Sequence, residues 1–175
     1  MRVFTGIVPP EEIYNKIVDI QSGFGDNRLE PHVTITPPAT VIDSEGWLKS
    51  IEAVCNSFAP FEVLLPATGQ FGKRVLFIDI DSKGLQKIEG ILKTTLTPFE
   101  KDNKEEEMNR KYNPHMTLGR KWCGFSKEDF VQMKILAEEF LKADTRSFTV
   151  SFIRAYHKPS PGGRYEKLQD FPLLG

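Results

Sequence analysis

The chain has 175 residues, of which 39% are hydrophobic and 27% charged, so it can bury the core of one globular domain. Its formal net charge of -1 and its pI near 6.3 exclude the overall cationic field with which proteins hold long nucleic acids. We therefore expect any nucleic-acid substrate to be short, or to be held by one end.

The two cysteines, Cys55 and Cys123, are far apart and match no Cys-x-x-Cys or zinc-type spacing. This usage favours a reduced, cytoplasmic setting without a disulfide framework or a structural metal. Residues 3–8 are too short for a signal-peptide core, and no later stretch reaches the roughly 18 apolar residues of a membrane span. We expect no membrane partner.

The first half of the chain predicts alternating strands and helices. Residues 3–8 predict a strand, and Pro9-Pro10-Glu11-Glu12 predicts the start of a helix, because proline is tolerated in a first turn and acidic side chains favour the helix dipole. Residues 31–35 alternate between polar and apolar, which is typical of a half-buried strand, and we expect Pro37-Pro38 to end it. Next come a predicted helix over residues 43–56 and two strands, 61–65 and 75–80, joined by a hairpin at residues 68–72.

The second half repeats this order. The spacing of Leu85, Ile88, Leu92 and Leu96 predicts a helix. Residues 101–111 have little to bury and are interpreted as a solvated loop, with a mobile substrate lid as the alternative. We then predict a strand at 114–118, a helix at 126–142 that begins with a Ser126–Asp129 capping box, and strands at 148–156 and 164–171. The repeated strand-helix-strand order predicts a single domain, residues 1–175, of two lobes.

Two of the three histidines stand in the same local sequence. Each follows a proline and precedes an apolar residue, a threonine and an aliphatic residue, in Pro31-His32-Val33-Thr34-Ile35 and in Pro114-His115-Met116-Thr117-Leu118. Residues i and i+2 of a strand project from one face. We therefore expect each imidazole to lie beside its own hydroxyl, with the intervening residues turned towards the core.

These side chains suit phosphodiester cleavage. A reference pKa of about 6.5 lets one imidazole be neutral and the other protonated near neutral pH, so that one takes a proton and the other gives one. The hydroxyls of Thr34 and Thr117 can donate hydrogen bonds to the non-bridging phosphate oxygens as charge shifts in the reaction. This scheme requires no metal or other cofactor.

The paired segments resemble the two-histidine (2H) phosphoesterase superfamily, and residues 114–120 are similar to the second motif of its bacterial 2′,5′-RNA ligase and cyclic phosphodiesterase branch. The resemblance implies an α+β fold of two pseudo-symmetric lobes, each a small antiparallel sheet flanked by helices, with a central active-site groove. It implies opening of a 2′,3′-cyclic phosphate, or cleavage or joining of a 2′,5′ linkage. It also implies roles for five residues: His32 and His115 as acid and base, Thr34 and Thr117 as phosphate ligands, and Arg120 as an assisting cation.

Four further residues are candidates for contacting phosphate or stacking on a base, since guanidinium planes and aromatic rings do both in single-strand recognition. They are Phe71, Arg74, Tyr112 and Arg164. The arginines could equally be solvated charges after glycine-containing turns, and the rings could cap the core. His157 has no threonine partner and is interpreted as a surface residue.

Other functions stay open at this point. The threonines also follow ordinary strand propensity, and two histidines could be metal ligands, although no acidic residue or cysteine lies at ligand spacing from them. A non-catalytic nucleotide-binding or regulatory module would use the same groove without turnover, and a hydrolase of another phosphodiester metabolite would share the site. The expected partner is a nucleotide or short RNA end, and the expected state is a monomer.

Overall fold

The computed structural model describes residues 1–25, 29–101, 111–142 and 147–175, and within them the chain forms nine strands and four helices. The strands are β1 (Arg2–Ile7), β2 (Val33–Thr40), β3 (Phe61–Leu64), β4 (Thr68–Phe71), β5 (Val75–Asp79), β6 (His115–Arg120), β7 (Ser147–Val150), β8 (Phe152–Lys158) and β9 (Glu166–Pro172). The helices are α1 (Glu11–Gln21), α2 (Ser44–Asn56), α3 (Lys83–Leu96) and α4 (Lys127–Lys142). Most of the hydrophilic stretch at 101–111 lies outside the described residues. None of the helices described has the length and hydrophobicity needed to cross a membrane.

Seven of the strands form one sheet, in the order β4-β5-β6-β2-β1-β8-β9, and β3 pairs with β7 in a second sheet. Every pairing is antiparallel, which confirms the predicted α+β class with antiparallel sheets. The large sheet is narrowest in its middle, where β2 and β6 meet at one register pair, Val33 opposite Met116. This contact joins the β4-β5-β6 half of the sheet to the β2-β1-β8-β9 half.

The order of elements along the chain repeats. Among the described residues, β1-α1-β2-α2-β3-β4 recurs as β5-α3-β6-α4-β7-β8. The last strands of the two units are exchanged, since β4 pairs with β5 and β8 pairs with β1, while β3 and β7 pair with each other. This arrangement supports our proposal of one domain with two lobes, in which each lobe is completed by a strand from the other half of the chain.

The helices cover one face of the large sheet. The apolar side of α3 is spaced at helical intervals and is buried, as predicted, at Leu85, Ile88, Leu92 and Leu96. It joins a core cluster that contains the apolar motif residues Val33, Ile35, Met116 and Leu118. Side chains alternate between the faces of a strand, so the polar residues of both motifs lie on the face that the helices leave open.

Side-chain caps set the start of two predicted helices. At α2, the backbone N–H of Gly46 donates to the Asp43 carboxylate over 3.0 Å. At α4, the backbone N–H of Asp129 donates to Oγ of Ser126 over 3.0 Å, and the backbone N–H of Ser126 donates to the Asp129 carboxylate over 2.7 Å. The second arrangement is a capping box, which confirms the prediction made for this helix.

The prediction that Pro37-Pro38 ends the second strand is wrong, because β2 continues through both prolines to Thr40. Between Thr36 and Ala39, the β1–β2 ladder shifts register by one residue, and the prolines lie at this irregularity. Both are exposed there. A bulge requires no ladder N–H at the extra residue, so proline, which lacks that donor, is tolerated.

Two predictions of strand pairing are also wrong. Residues 68–72, expected as a turn between strands 61–65 and 75–80, contain β4, and it is β4 that forms the hairpin with β5. Residues 148–156, expected as one strand, are parts of β7 and β8, which belong to different sheets. Alternation along a strand indicates which face is buried, but it does not specify the partner, which distant segments determine.

Candidate active site

The two His-x-Thr motifs lie side by side at the middle of the large sheet. Their central residues, Val33 and Met116, are directly opposite on antiparallel strands. Continuing that register by one residue in each direction sets each histidine across from the threonine of the other motif, His32 from Thr117 and Thr34 from His115. Directly opposite residues have Cβ atoms roughly 4.5–5.5 Å apart. Two imidazoles and two hydroxyls therefore form one cluster on the open face.

The same local hydrogen bond orients both imidazoles. Nδ1 of His32 is 2.7 Å from the carbonyl oxygen of Glu30, and Nδ1 of His115 is 2.9 Å from the carbonyl oxygen of Asn113. A carbonyl oxygen can only accept, so Nδ1 carries a proton in each ring. Nε2 is then the nitrogen that changes its protonation between the neutral and the cationic imidazole.

A groove of about 530 Å³ opens on the face that carries the motifs. Thr34, Thr117 and His32 line it, together with Arg120, whose Nη2 donates to Oγ1 of Thr117 over 3.5 Å. Other lining residues include Phe4, Gln21, Glu30, Trp122, Lys158, Arg164 and Tyr165. Small-molecule sites in proteins measure roughly 300–1,000 Å³, so the groove has the volume of such a site.

His115 lies beside the groove and is not among its lining residues. Its ring is 4.9 Å from the ring of Phe71, in an edge-on arrangement, and 4.9 Å from the ring of Phe77. It is close enough to His32 for its charge to lower the pKa of that ring. The structure thus brings Phe71, a candidate from the sequence, against one of the two motif histidines, and the Phe71 side chain is 40% exposed.

Burial lowers the pKa of His32 from 6.5 to about 4. The charges of Arg120 and His115 contribute to this net lowering, whereas the hydrogen bond to the Glu30 carbonyl and the Glu30 carboxylate act in the opposite direction. At neutral pH the ring is therefore neutral, with Nε2 unprotonated. This is the form of imidazole that accepts a proton.

Of the three remaining candidates from the sequence, one lines the groove and two do not. Arg164 lines the groove. Arg74 is exposed in the turn between β4 and β5 and is not among the lining residues. The Tyr112 hydroxyl donates to the Thr34 carbonyl over 2.8 Å, and its ring packs against the core. Tyr112 thus supports strand β2, and its ring is committed to packing.

Three aromatic residues that line the groove were not predicted: Phe4, Trp122 and Tyr165. Trp122 is 65% exposed, and the Arg120 guanidinium lies 5.9 Å from its ring centre. Tyr165 lies in the segment between β8 and β9, with Nζ of Lys158 5.7 Å from its ring centre. Rings beside cations suit a ligand that carries a base and a phosphate. A tryptophan two residues beyond the motif arginine is a signal that the sequence contains, whereas nothing local marks Tyr165.

Within the described part of the chain, no three histidine, cysteine or acidic side chains are grouped so as to hold a metal ion. Both cysteines are free thiols, with Cys55 in the core and Cys123 at the groove. Burial raises the pKa of Cys55 to about 12, so that thiol is protonated and unreactive near neutral pH. The groups of the motifs that can contact a ligand are therefore imidazole, hydroxyl and guanidinium groups.

Comparisons with known proteins identify the family and the fold. The sequence matches the family model for the 2′-5′ RNA ligase superfamily over residues 9–154. TT0787 of Thermus thermophilus has a similar structure, with a TM-score of 0.70 at 20% identity over 100% of this chain and 99% of that one. E. coli LigT complexed with phosphate has a TM-score of 0.65 at 18% identity, over 99% and 98% of the two chains, and its complex with 3′-AMP has 0.67 at 19% identity over the same shares.

These structural likenesses show a shared fold. No match was found among curated proteins. The family model, however, covers most of the chain and includes both histidine motifs. The chain therefore belongs to the 2′-5′ RNA ligase superfamily, as the resemblance of its paired motifs to two-histidine phosphoesterases predicts.

Proposed function

We propose that the protein is a metal-independent phosphoesterase that acts on 2′,3′-cyclic phosphates or 2′,5′-linked ends of nucleotides and short RNA. The observation that carries this proposal is the register of β2 against β6, which groups two imidazoles and two threonine hydroxyls on one face. Membership of the superfamily supports it. E. coli LigT has been solved with phosphate, 3′-AMP and ATP, and ligands of this size match the volume of the groove.

In the proposed reaction, a water molecule attacks the phosphorus of the cyclic ester. Nε2 of His32, unprotonated because burial lowers the pKa of the ring, takes a proton from that water. Nε2 of His115, in its protonated form, gives a proton to the leaving ribose oxygen as the bond from phosphorus to that oxygen breaks. A phosphomonoester forms, and proton exchange with solvent returns both rings to their starting states.

The other motif side chains bind the phosphate. The hydroxyls of Thr34 and Thr117 donate to the non-bridging oxygens, whose negative charge shifts when phosphorus becomes five-coordinate. Arg120, hydrogen-bonded to Thr117, adds a cation at the same place. Removing a single donor of this kind from other enzymes lowers kcat roughly 10²–10³-fold.

The distribution of charge around the groove favours a small substrate. The chain has a net charge of -1, yet Arg120, Lys158 and Arg164 all line this groove. Positive charge is thus concentrated at the site, whereas long nucleic acids are bound by extended cationic surfaces. A nucleotide or the end of a short RNA, with its base against Trp122, matches this distribution of charge and aromatic surface.

Hydrolysis of 2′,3′-cyclic nucleotides in the presence of EDTA tests the proposal. We expect turnover by the wild-type protein, and at least roughly 10²-fold slower turnover by His32→Ala and by His115→Ala. His157→Ala is the matched control, since His157 pairs with the core residue Val3 and lies on the other face of the sheet.

Loss of activity under chelation, or activity that persists in both motif variants, contradicts the mechanism. Tight nucleotide binding without product from a wide panel of phosphodiesters indicates a binding module instead.

A further inference from the structure

The backbones of the two motif histidines are held differently. His115 begins strand β6 and pairs in register with Asp79 of β5, so the sheet ladder holds it. His32 precedes β2, which begins at Val33, and the Glu30 carbonyl that accepts the hydrogen bond from its Nδ1–H lies in the preceding loop. A tertiary contact is needed to hold this loop if the His32 ring is to keep a single orientation.

Charged and polar side chains supply that contact. Oε1 of Glu30 accepts from Nη1 of Arg154 and from the hydroxyl of Tyr156, both over 2.8 Å. Arg154 is held in turn by Asp170, with Nε 2.6 Å from Oδ1 and Nη2 2.8 Å from Oδ2. The side chains of Arg154, Glu30 and Asp170 are 13%, 23% and 29% exposed. Charge-assisted hydrogen bonds that are partly shielded from water are strong.

The groups that hold Glu30 are part of the sheet or contact it. Arg154 and Tyr156 belong to β8, and Asp170 is the register partner of Arg154 on β9. The Tyr156 ring stacks on Phe4 with centres 4.5 Å apart. Both rings lie next to the imidazole of His32, with centre separations of 5.6 Å for Phe4 and 5.7 Å for Tyr156. The network therefore reaches His32 both through the Glu30 peptide and through the rings beside it.

We propose that Arg154 is a positioning residue for His32 and acts through Glu30. By holding the Glu30 carboxylate against β8, it keeps the Glu30 carbonyl in place to accept a hydrogen bond from Nδ1–H of His32. The proton then stays on Nδ1, and Nε2 is the nitrogen that takes a proton in the reaction. Without this ion pair, Glu30 moves and the ring also populates the tautomer protonated on Nε2, which cannot accept there. The inference rests on the proposed function for the reaction, but the tautomer is a property of the protein alone.

Two variants with the same change in charge test the inference. Arg154→Gln and Lys167→Gln each remove one positive partner of Asp170, but Arg154 also bonds to Glu30, whereas the ion pair of Lys167 is with Asp170 at 2.6 Å. Nitrogen-15 NMR of histidine-labelled protein reports the tautomer of His32. We expect a proton on Nδ1 in the wild type and in Lys167→Gln, and a mixture of both tautomers in Arg154→Gln.

Kinetics with a 2′,3′-cyclic nucleotide supply a second readout. We expect kcat to fall about tenfold in Arg154→Gln, the lower end of the roughly 10–100-fold loss that follows removal of a group orienting a metal-bound histidine. KM should change by less than about twofold because the phosphate contacts remain. Lys167→Gln should retain the kcat of the wild type.

Tyr156→Phe keeps the test decisive should Arg154→Gln fail to fold. It removes the other donor to Oε1 of Glu30 and keeps the ring that stacks on Phe4. We expect the same shift in tautomer to a smaller extent. If His32 keeps the wild-type tautomer in whichever of Arg154→Gln and Tyr156→Phe folds, the proposal is overturned. Absence of turnover by the wild type would instead refute the proposed function, and the tautomer comparison would still decide this inference.

Discussion

Mild acid should destabilise the protein through His32. The pKa of this ring is about 4 in the folded protein, against 6.5 for an unperturbed histidine, which we take for the unfolded chain. Between these two pH values the unfolded chain binds more protons than the folded protein does. The free energy of unfolding therefore decreases as the pH falls from 6.5 to 4, and this group causes no further decrease below pH 4.

The size of this effect follows from the two pKa values. One pKa unit corresponds to about 1.4 kcal/mol, so the whole shift is worth about 3 kcal/mol. From the linkage of folding to proton binding, the free energy of unfolding decreases by about 2 kcal/mol between pH 7.5 and pH 5. This is an upper value, because His32 is a half-buried residue at the edge of an open groove, where solvent screens part of the effect.

Urea unfolding at pH 7.5 and pH 5 measures the effect in the wild type and in His32→Gln. Acidification should destabilise the wild type by up to about 2 kcal/mol more than the variant, because glutamine does not titrate. His157→Gln, which removes a histidine from the other face of the sheet, is measured alongside for comparison. Equal losses in the wild type and in His32→Gln would refute the reasoning that burial keeps this imidazole neutral.

Three further substitutions test other parts of the structure. Thr117→Val removes a phosphate donor without changing the shape of the side chain, so steady-state kinetics should show kcat about 10²-fold lower and KM nearly unchanged, and an unchanged kcat counts against the role of the hydroxyl. Trp122→Ala should raise KM about tenfold at constant kcat, because stacking on a base contributes roughly 1–3 kcal/mol. An unchanged KM would remove Trp122 from the binding site. Asp43→Ala removes the cap bond to Gly46 and should lower the free energy of unfolding by about 1 kcal/mol, and an unchanged urea midpoint would refute the importance of this cap.

Local patterns in the sequence were sufficient to predict the elements that carry the motifs. The apolar residues of α3 recur at helical spacing, and the Ser126–Asp129 cap depends on two residues three positions apart. The alternation within each motif correctly separates the core residues from the polar face, because the faces of a strand differ by one residue. Structural features that depend on neighbours within a few residues can therefore be predicted from the sequence.

Features that depend on distant partners could not be predicted in the same way. The pairing of β3 with β7 and the break between β7 and β8 arise from the choice of partner strands, which alternation does not encode. The bonds from Arg154 and Tyr156 to Glu30 join residues more than 120 positions apart. Tyr112 shows the same difficulty on a smaller scale, since an aromatic residue near a motif can support a strand instead of facing the groove.

A crystal structure of the protein with inorganic phosphate tests most directly the claim that both motifs act on one phosphorus. We expect a single phosphate in the groove, with Nε2 of His32, Nε2 of His115 and the hydroxyls of Thr34 and Thr117 within roughly 2.6–3.2 Å of its oxygens. A phosphate contacted by only one of the two motifs, or bound away from the groove, would contradict the account.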